Sequence, residues 1–174
     1  ALLAATVRLA RESGLSSAHL LFMDDADQRA AQRAGWMARS TVQFHWHNRG
    51  YRDFADFLDA MQSRKRKQLR RERRLVVEQG LQLRALRGPE IDAALWERFH
   101  HFYQLTYARR SGHGGYLNRE FFRLLGQAMP ESLLLVVAEH GRELVAGALY
   151  VIGADTLYGR YWGSAKDIPF LHFE

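Results

Sequence analysis

Apolar positions along this chain change period several times, and each change marks an element. Leu2, Leu3, Val7, Leu9 and Ala10, with polar residues between them, suit one face of a helix that Ser13-Gly14 closes. Ser17 to Met23 then reads as a short buried strand, and Asp24 or Asp25 caps a second helix that ends at Gly35. From Trp36 the pattern turns β-like, with Val42, Phe44 and Trp46 alternating with Gln43, His45 and His47 after Thr41. Asp53 caps a long helix running to Gln79, with Gly80 at its end; its apolar stripe thins from Arg64 to Gln68 and resumes at Leu69. That thin stretch is expected to face solvent or a partner.

Leu81, Leu83 and Ala85 alternate as a strand does, and Gly88-Pro89-Glu90 is expected to open a core helix carrying Ile91, Leu95, Phe99 and Phe102 on one face and Trp96, Tyr103 and Tyr107 on another. The loop Ser111 to Gly115 leads to Asn118, which caps a helix that Pro130 stops. Three β-rich segments follow from Leu133, separated by turn chemistry at His140-Gly141-Arg142 and Gly153-Ala154-Asp155. A β-meander is the prediction.

With 174 residues, 47% of them hydrophobic, the chain can bury a sizeable core. No apolar run approaches the ~20 residues of a membrane span, no signal peptide is evident, and a cytoplasmic setting is expected. Cysteine is absent, which excludes disulfides, a thiolate nucleophile and Cys-based zinc sites. The net charge of +6 has a local origin: eight bases lie between Arg64 and Arg74, with Glu72 the only acid among them. Lys65, Arg66, Lys67, Arg70, Arg71 and Arg74 are therefore candidate polyanion-binding residues, for nucleic acid, an anionic surface or a phosphorylated substrate. The run lacks interleaved aromatics, so it signals charge rather than sequence reading, and a plainly solvated helix face accounts for it equally well.

Two stretches draw attention as sites. At the end of the meander Arg160, Tyr161 and Trp162 sit between Gly159 and Gly163, where missing side chains allow close approach. Strand alternation predicts that Tyr158, Arg160 and Trp162 share one face and Gly159 and Tyr161 the other. His172 and Glu174 lie just beyond, and either could take the proton that an amine loses on acylation; a helix-dipole role for Glu174 and a satisfied buried position for His172 are the plain alternatives. His45 and His47 point to one side of the expected strand, but two histidines without a third ligand make a pocket wall or ordinary surface more readily than a metal site.

GRYWG followed by PFLHFE, with QFHWHN at Gln43 to Asn48 and SRKRKQLRRERR at Ser63 to Arg74, resembles the FemAB-like peptidoglycan biosynthesis family, a branch of the GNAT acyltransferases, over nearly the whole chain. The resemblance implies an α/β (α+β) fold with a GNAT-like mixed sheet flanked by helices, in a tandem GNAT arrangement. Residues 1–48 then resemble the late half of one module, 49–80 a linker and long basic helix, and 81–174 the early half of the next. The chain reads as a piece of a longer one, with uncovered sheet edges through which it could self-associate.

The function implied is transfer of an acyl group from an activated thioester or ester to an amine-bearing acceptor, in peptidoglycan or cell-wall biosynthesis. Acyl-CoA and aminoacyl-tRNA are the two donors the family suggests, and no metal is implied. Arg160-Tyr161-Trp162-Gly163-Ser164-Ala165 fits the spacing with which GNAT enzymes hold the pyrophosphate of acyl-CoA on backbone N–H groups, although the loop after it is longer than that motif carries. His172, Glu174 and Tyr161 stand as candidate catalytic residues; Tyr158, Arg160, Trp162, Gly163, Ser164, Ala165 and His45 as candidate substrate or cofactor contacts. The rival reading is a noncatalytic GNAT scaffold that binds nucleic acid or anionic surfaces through its basic helix.

Overall fold

Side-chain caps set several of the helix starts in the computed structural model, which describes residues 2–40 and 42–173. Residues up to Gly50 form one unit and those from Tyr51 a second. The first holds α1 (Leu2–Glu12) and α2 (Asp25–Arg33), the latter capped where an Asp24 carboxylate oxygen accepts from the Asp27 N–H at 2.8 Å. The strands expected over residues 17–23 and from Trp36 to Trp46 do not form: both stretches run without a ladder in the described residues, Thr41 lying outside these. Alternation alone supplies no partner strand, and β structure is stabilised by pairing and burial. Phe22 also breaks the first stretch with a left-handed φ of 58°, and it stands 93% exposed, as Phe44 stands 98% exposed. Ala31 is the one buried residue among those described in this unit.

The second unit opens with α3 (Phe54–Asp59), capped by Asp53 through the Asp56 N–H, and α4 (Ser63–Glu78). The single helix expected from Asp53 to Gln79 is thus two. Ala60 ends α3, Met61 donates back to the Leu58 carbonyl in a tight turn, and Gln62 is extended with ψ 142°, so the helix restarts at Ser63. Gly80 follows α4 with a φ of 76°, the left-handed ending read from the sequence.

β1 (Leu81–Arg87) leads through a 3-10 turn at Gly88–Glu90 into α5 (Ala93–Ser111). The cap of α5 is Asp92, whose carboxylate takes the Leu95 N–H at 2.8 Å; the helix therefore begins later than the proline suggested. α6 (Arg119–Ala128) starts at Asn118 as expected, and β2 (Leu133–His140), β3 (Glu143–Ile152) and β4 (Leu157–Ser164) complete the meander. The four strands lie in the order β1-β2-β3-β4, every pair antiparallel. Strand, two helices, three strands is the order with which a GNAT module begins, and the fold is α+β.

The two sheet faces are covered differently. On the near face α5 and α6 bury Trp96, Phe99, Tyr103 and Phe122 against Leu135, Leu149 and their neighbours. α5 can lie this close because a Cβ at Gly163 would run into the Phe102 carbonyl, and one at Gly147 would meet the Phe99 ring at 3.0 Å. On the far face a smaller cluster joins Val76 of α4 to Leu81, Ala138, Val145, Ala146 and Leu171. It closes one end of that face only.

Candidate functional site

A β-bulge divides the residues that the sequence groups together. Leu149 stands opposite Tyr161 but Tyr150 opposite Gly159, so Arg160 is the extra residue in β4. Beyond a bulge the alternation reverses. Tyr158, opposite Val151, therefore lies on the near face with Tyr161, whose ring is 5.3 Å from that of Tyr103. The Arg160 guanidinium goes the same way, 5.1 Å from the centre of the Tyr161 ring. Trp162, opposite Ala148, lies on the far face. The expectation that Tyr158, Arg160 and Trp162 share a face thus fails at Trp162, and Tyr161 joins the group from which alternation had excluded it. Gly159, inside a strand and beside the extra residue, was the sequence signal for a bulge.

On the far face Trp162 meets His172, their ring centres 4.8 Å apart and nearly perpendicular. With Tyr150 they wall a groove of about 280 Å³ whose floor is Ala138, Ala146 and Ala148. Small floor residues leave that volume open. Gly163 and Ser164, by contrast, are buried, and the Ala165 N–H donates to the Val145 carbonyl at 2.8 Å. The Ser164 and Ala165 carbonyls accept from the Arg109 guanidinium at 3.3 and 3.0 Å. These three residues of the phosphate-type pattern serve strand end and helix packing instead, because the strand runs on to Ser164 and Gly163 is needed for the approach of α5. A 3-10 turn, Leu171–Phe173, begins only seven residues after the strand ends at Ser164. Glu174 lies outside the described residues.

The basic run forms α4; Arg73 lies over the Phe54 ring, 4.2 Å from its centre, and the other bases fall into two sets. Arg66 and Arg70 reach Asp59 at 3.3 and 3.5 Å, and Arg74 reaches Glu78 at 3.3 Å, all surface pairs of small net worth. Among the described residues Arg64, Lys65, Lys67 and Arg71 have no carboxylate partner. Arg64, Lys67 and Arg71 recur at helical spacing on one face, where with Leu75 and Phe170 they line a groove of about 410 Å³. Phe170 takes a left-handed φ of 69°, a conformation that bulky residues rarely hold, and Gln79 braces the turn from α4 through the Pro169 carbonyl at 3.3 Å. The turn sends Phe170 to the basic groove and the next two residues to the sheet, Leu171 buried and His172 in the far-face groove. One short segment thus walls both grooves.

His45 belongs to the first unit, where its ring nitrogen Nε2 lies 3.2 Å from the Gln43 side-chain oxygen and its ring 6.3 Å from that of His47. No group of three or more metal-ligating side chains occurs among the described residues, and no helix there is long and apolar enough to cross a membrane.

A near-face cluster was missed by the sequence reading. Tyr103, Tyr107, His113 and Tyr116 gather where α5 meets the loop after it, with Tyr103 and Tyr107 4.6 Å apart and His113 and Tyr116 4.9 Å apart. The Tyr103 hydroxyl accepts from the Tyr116 and Leu117 N–H groups, and a Cβ at Gly115 would strike the Tyr103 ring. Burial first, then the neighbouring tyrosines, pushes the Tyr107 hydroxyl above its ordinary pKa, while Arg160 pulls the other way. Tyr103 and Tyr107 read as helix core and His113 as part of a loop, which hid their convergence.

No curated protein matches the chain. Comparison with protein families matches residues 1–174, its full length, to the FemAB-like family of peptidoglycan biosynthesis and recognition. Together with the α+β architecture and the strand-helix-helix-meander order, that match shows that the chain belongs to the FemAB-like family, whose general work is peptidoglycan-related aminoacyl transfer.

Proposed function

We propose that this protein transfers an aminoacyl group from its ester on an RNA to an amine, with the RNA phosphates along α4 and the reacting ester in the far-face groove. The observation that carries this reading is the shared wall: Phe170 lines the basic groove and His172, two residues on, lines the other. A donor in which a polyanion is tethered to a reactive ester needs those two surfaces side by side. In the groove the amine nitrogen attacks the ester carbonyl; the C–N bond forms, the C–O bond to the ribose breaks, and the amine proton passes to the His172 imidazole and on to the departing ribose oxygen. Trp162, edge to face with His172, holds the ring in position, and the remaining contribution is alignment of amine and ester. Acyl-CoA is the second donor the family suggests, and the burial of Gly163 and Ser164 weighs against its use of the phosphate-type pattern.

The experiment offers the protein aminoacyl-tRNA and acyl-CoA in parallel with an amine acceptor and follows amide formation. Amide from the RNA ester, lost progressively with salt and with a log–log slope flattened by about 2 to 3 when Arg64, Lys67 and Arg71 become Gln, supports the reading. Amide from acyl-CoA alone would overturn the donor assignment. RNA binding without amide from either donor would favour the noncatalytic scaffold.

A further inference from the structure

The basic groove on α4 contains a ring that the basic run itself does not supply. No Phe, Tyr or Trp occurs between Ser63 and Glu78, yet Phe170 lines the groove with Arg64, Lys67 and Arg71 and is 38% exposed. Core packing accounts for the residue after it and not for Phe170: Leu171 is buried with Val76 and Val145, whereas Phe170 turns apolar surface to water from a left-handed backbone. Backbone strain of this kind gathers at ligand clamps, where the surroundings hold it in place. Here Gln79 does so through the Pro169 carbonyl, which fixes the turn at the C-terminal end of α4.

Charge alone accepts any polyanion, but charge beside an exposed aromatic ring is more selective. The bases of a single strand stack on such a ring, whereas a duplex keeps its bases stacked on one another and offers phosphates and groove edges. An anionic membrane offers headgroups only. Gln68 and Glu72, joined at 2.8 Å within the same groove, add an amide and a carboxylate that can meet the amino edge of a base. Arg64 and Arg71 are separated by about 10 Å along the helix axis, so the cations are spread along a line as a nucleic-acid backbone is. The groove of about 410 Å³ lies within the range of about 300–1,000 Å³ that small-molecule sites occupy.

We propose, resting on the reading of α4 as the RNA surface, that Phe170 stacks an unpaired base at the ester-bearing end of the donor, with Arg64, Lys67 and Arg71 on the adjoining phosphates. The donor must then present a single-stranded end. Because His172 follows Phe170 by two residues, the stacked base belongs to the last few nucleotides, and its seat sets how far the ester reaches into the far-face groove.

The test needs no transfer. A short unacylated single-stranded RNA carrying the fluorescent base 2-aminopurine near its 3′ end is titrated with the intact protein, beside the same RNA made abasic at that position and the same RNA annealed to its complement. Binding should quench the fluorescent base, and the abasic RNA should bind about 5- to 100-fold more weakly. The duplex should bind more weakly than the single strand despite its greater charge density, the reverse of what a purely electrostatic groove gives. Phe170→Leu should lose the quench and weaken binding by the same factor as the abasic change, and Phe170→Tyr should retain both. The abasic comparison uses the parent protein and so does not depend on how a variant folds. Equal binding of abasic and parent RNA, tighter binding of the duplex, or capture of phosphatidylglycerol vesicles in place of RNA would each overturn the proposal. The first of these would leave α4 a phosphate surface and the transfer reading standing. Base-dependent binding with no amide formed from aminoacyl-tRNA would support the stacking site and overturn the transfer instead.

Discussion

The two faces of the sheet in the second unit are built from the same strands and end up with opposite characters. The near face is sealed by α5 and α6 over interlocked rings, whereas the far face receives α4 and Leu171 at one end and leaves Tyr150, Trp162 and His172 around an open groove. Side-chain size makes much of the difference. Leu133, Leu135 and Leu149 point to the helices, and Ala138, Ala146 and Ala148 point away, so one face fills its space and the other keeps it. A face packed that way carries stability; an unfilled one is free to carry chemistry.

The sharpest way to break this contrast is to truncate one aromatic on each face. Phe122 is fully buried among the rings of Trp96, Phe99, Tyr103 and Tyr161, and Phe122→Ala should cost about 3–5 kcal/mol in urea unfolding. Trp162→Ala, half-buried on the open face, should cost less than about 1.5 kcal/mol. Equal losses would mean that the far face is core as well.

A smaller effect separates two glycines of β4. Gly163→Ala drives a methyl into the Phe102 backbone carbonyl, which cannot turn aside as a side chain can, and a loss of about 1–3 kcal/mol is expected. Gly159→Ala meets the Tyr150 ring at 3.3 Å on the far face, where the ring can shift, and thermal unfolding should change little. If Gly159→Ala proves the more damaging, close approach of α5 is not what requires glycine at position 163.

The weakest expected effect is on pH. Burial holds the His100 imidazole below its usual value of 6.5, outweighing the help its charged form draws from the Leu117 carbonyl. The unfolded chain then binds the proton more readily than the folded one, so this contribution is full above pH 6.5 and is lost as pH falls from there through the depressed folded value. His100→Gln should flatten the dependence of unfolding free energy on pH in that window; an unchanged slope would place its origin elsewhere.

The same contrast explains which features are legible in the sequence. Asp24, Asp53 and Asn118 cap helices through local side-chain bonds, and the meander carries its turns in its own sequence, so both were legible. Val42, Phe44 and Trp46 alternate as well as any strand in the chain, yet they form none among the described residues, because pairing is a property of two segments and periodicity of one. Trp162 and His172 were each readable as candidate site residues. Their separation from Tyr158 and Arg160 was not, since one extra residue in β4 reverses every side chain beyond it. The joining of α4 to His172 through Phe170 rests on a left-handed turn at an aromatic residue, which no propensity favours.

The adjacency of the basic groove and the His172 groove is most directly tested by single-turnover transfer from aminoacyl-tRNA, comparing His172→Ala with the combined Arg64→Gln, Lys67→Gln and Arg71→Gln variant. The first should lower the rate at saturating donor by about 10²- to 10⁴-fold without weakening RNA binding, and the second should raise the donor concentration needed while leaving the saturating rate unchanged. A His172→Ala protein that transfers at the unaltered rate, or a triple variant that binds the RNA as tightly as the parent, would contradict it.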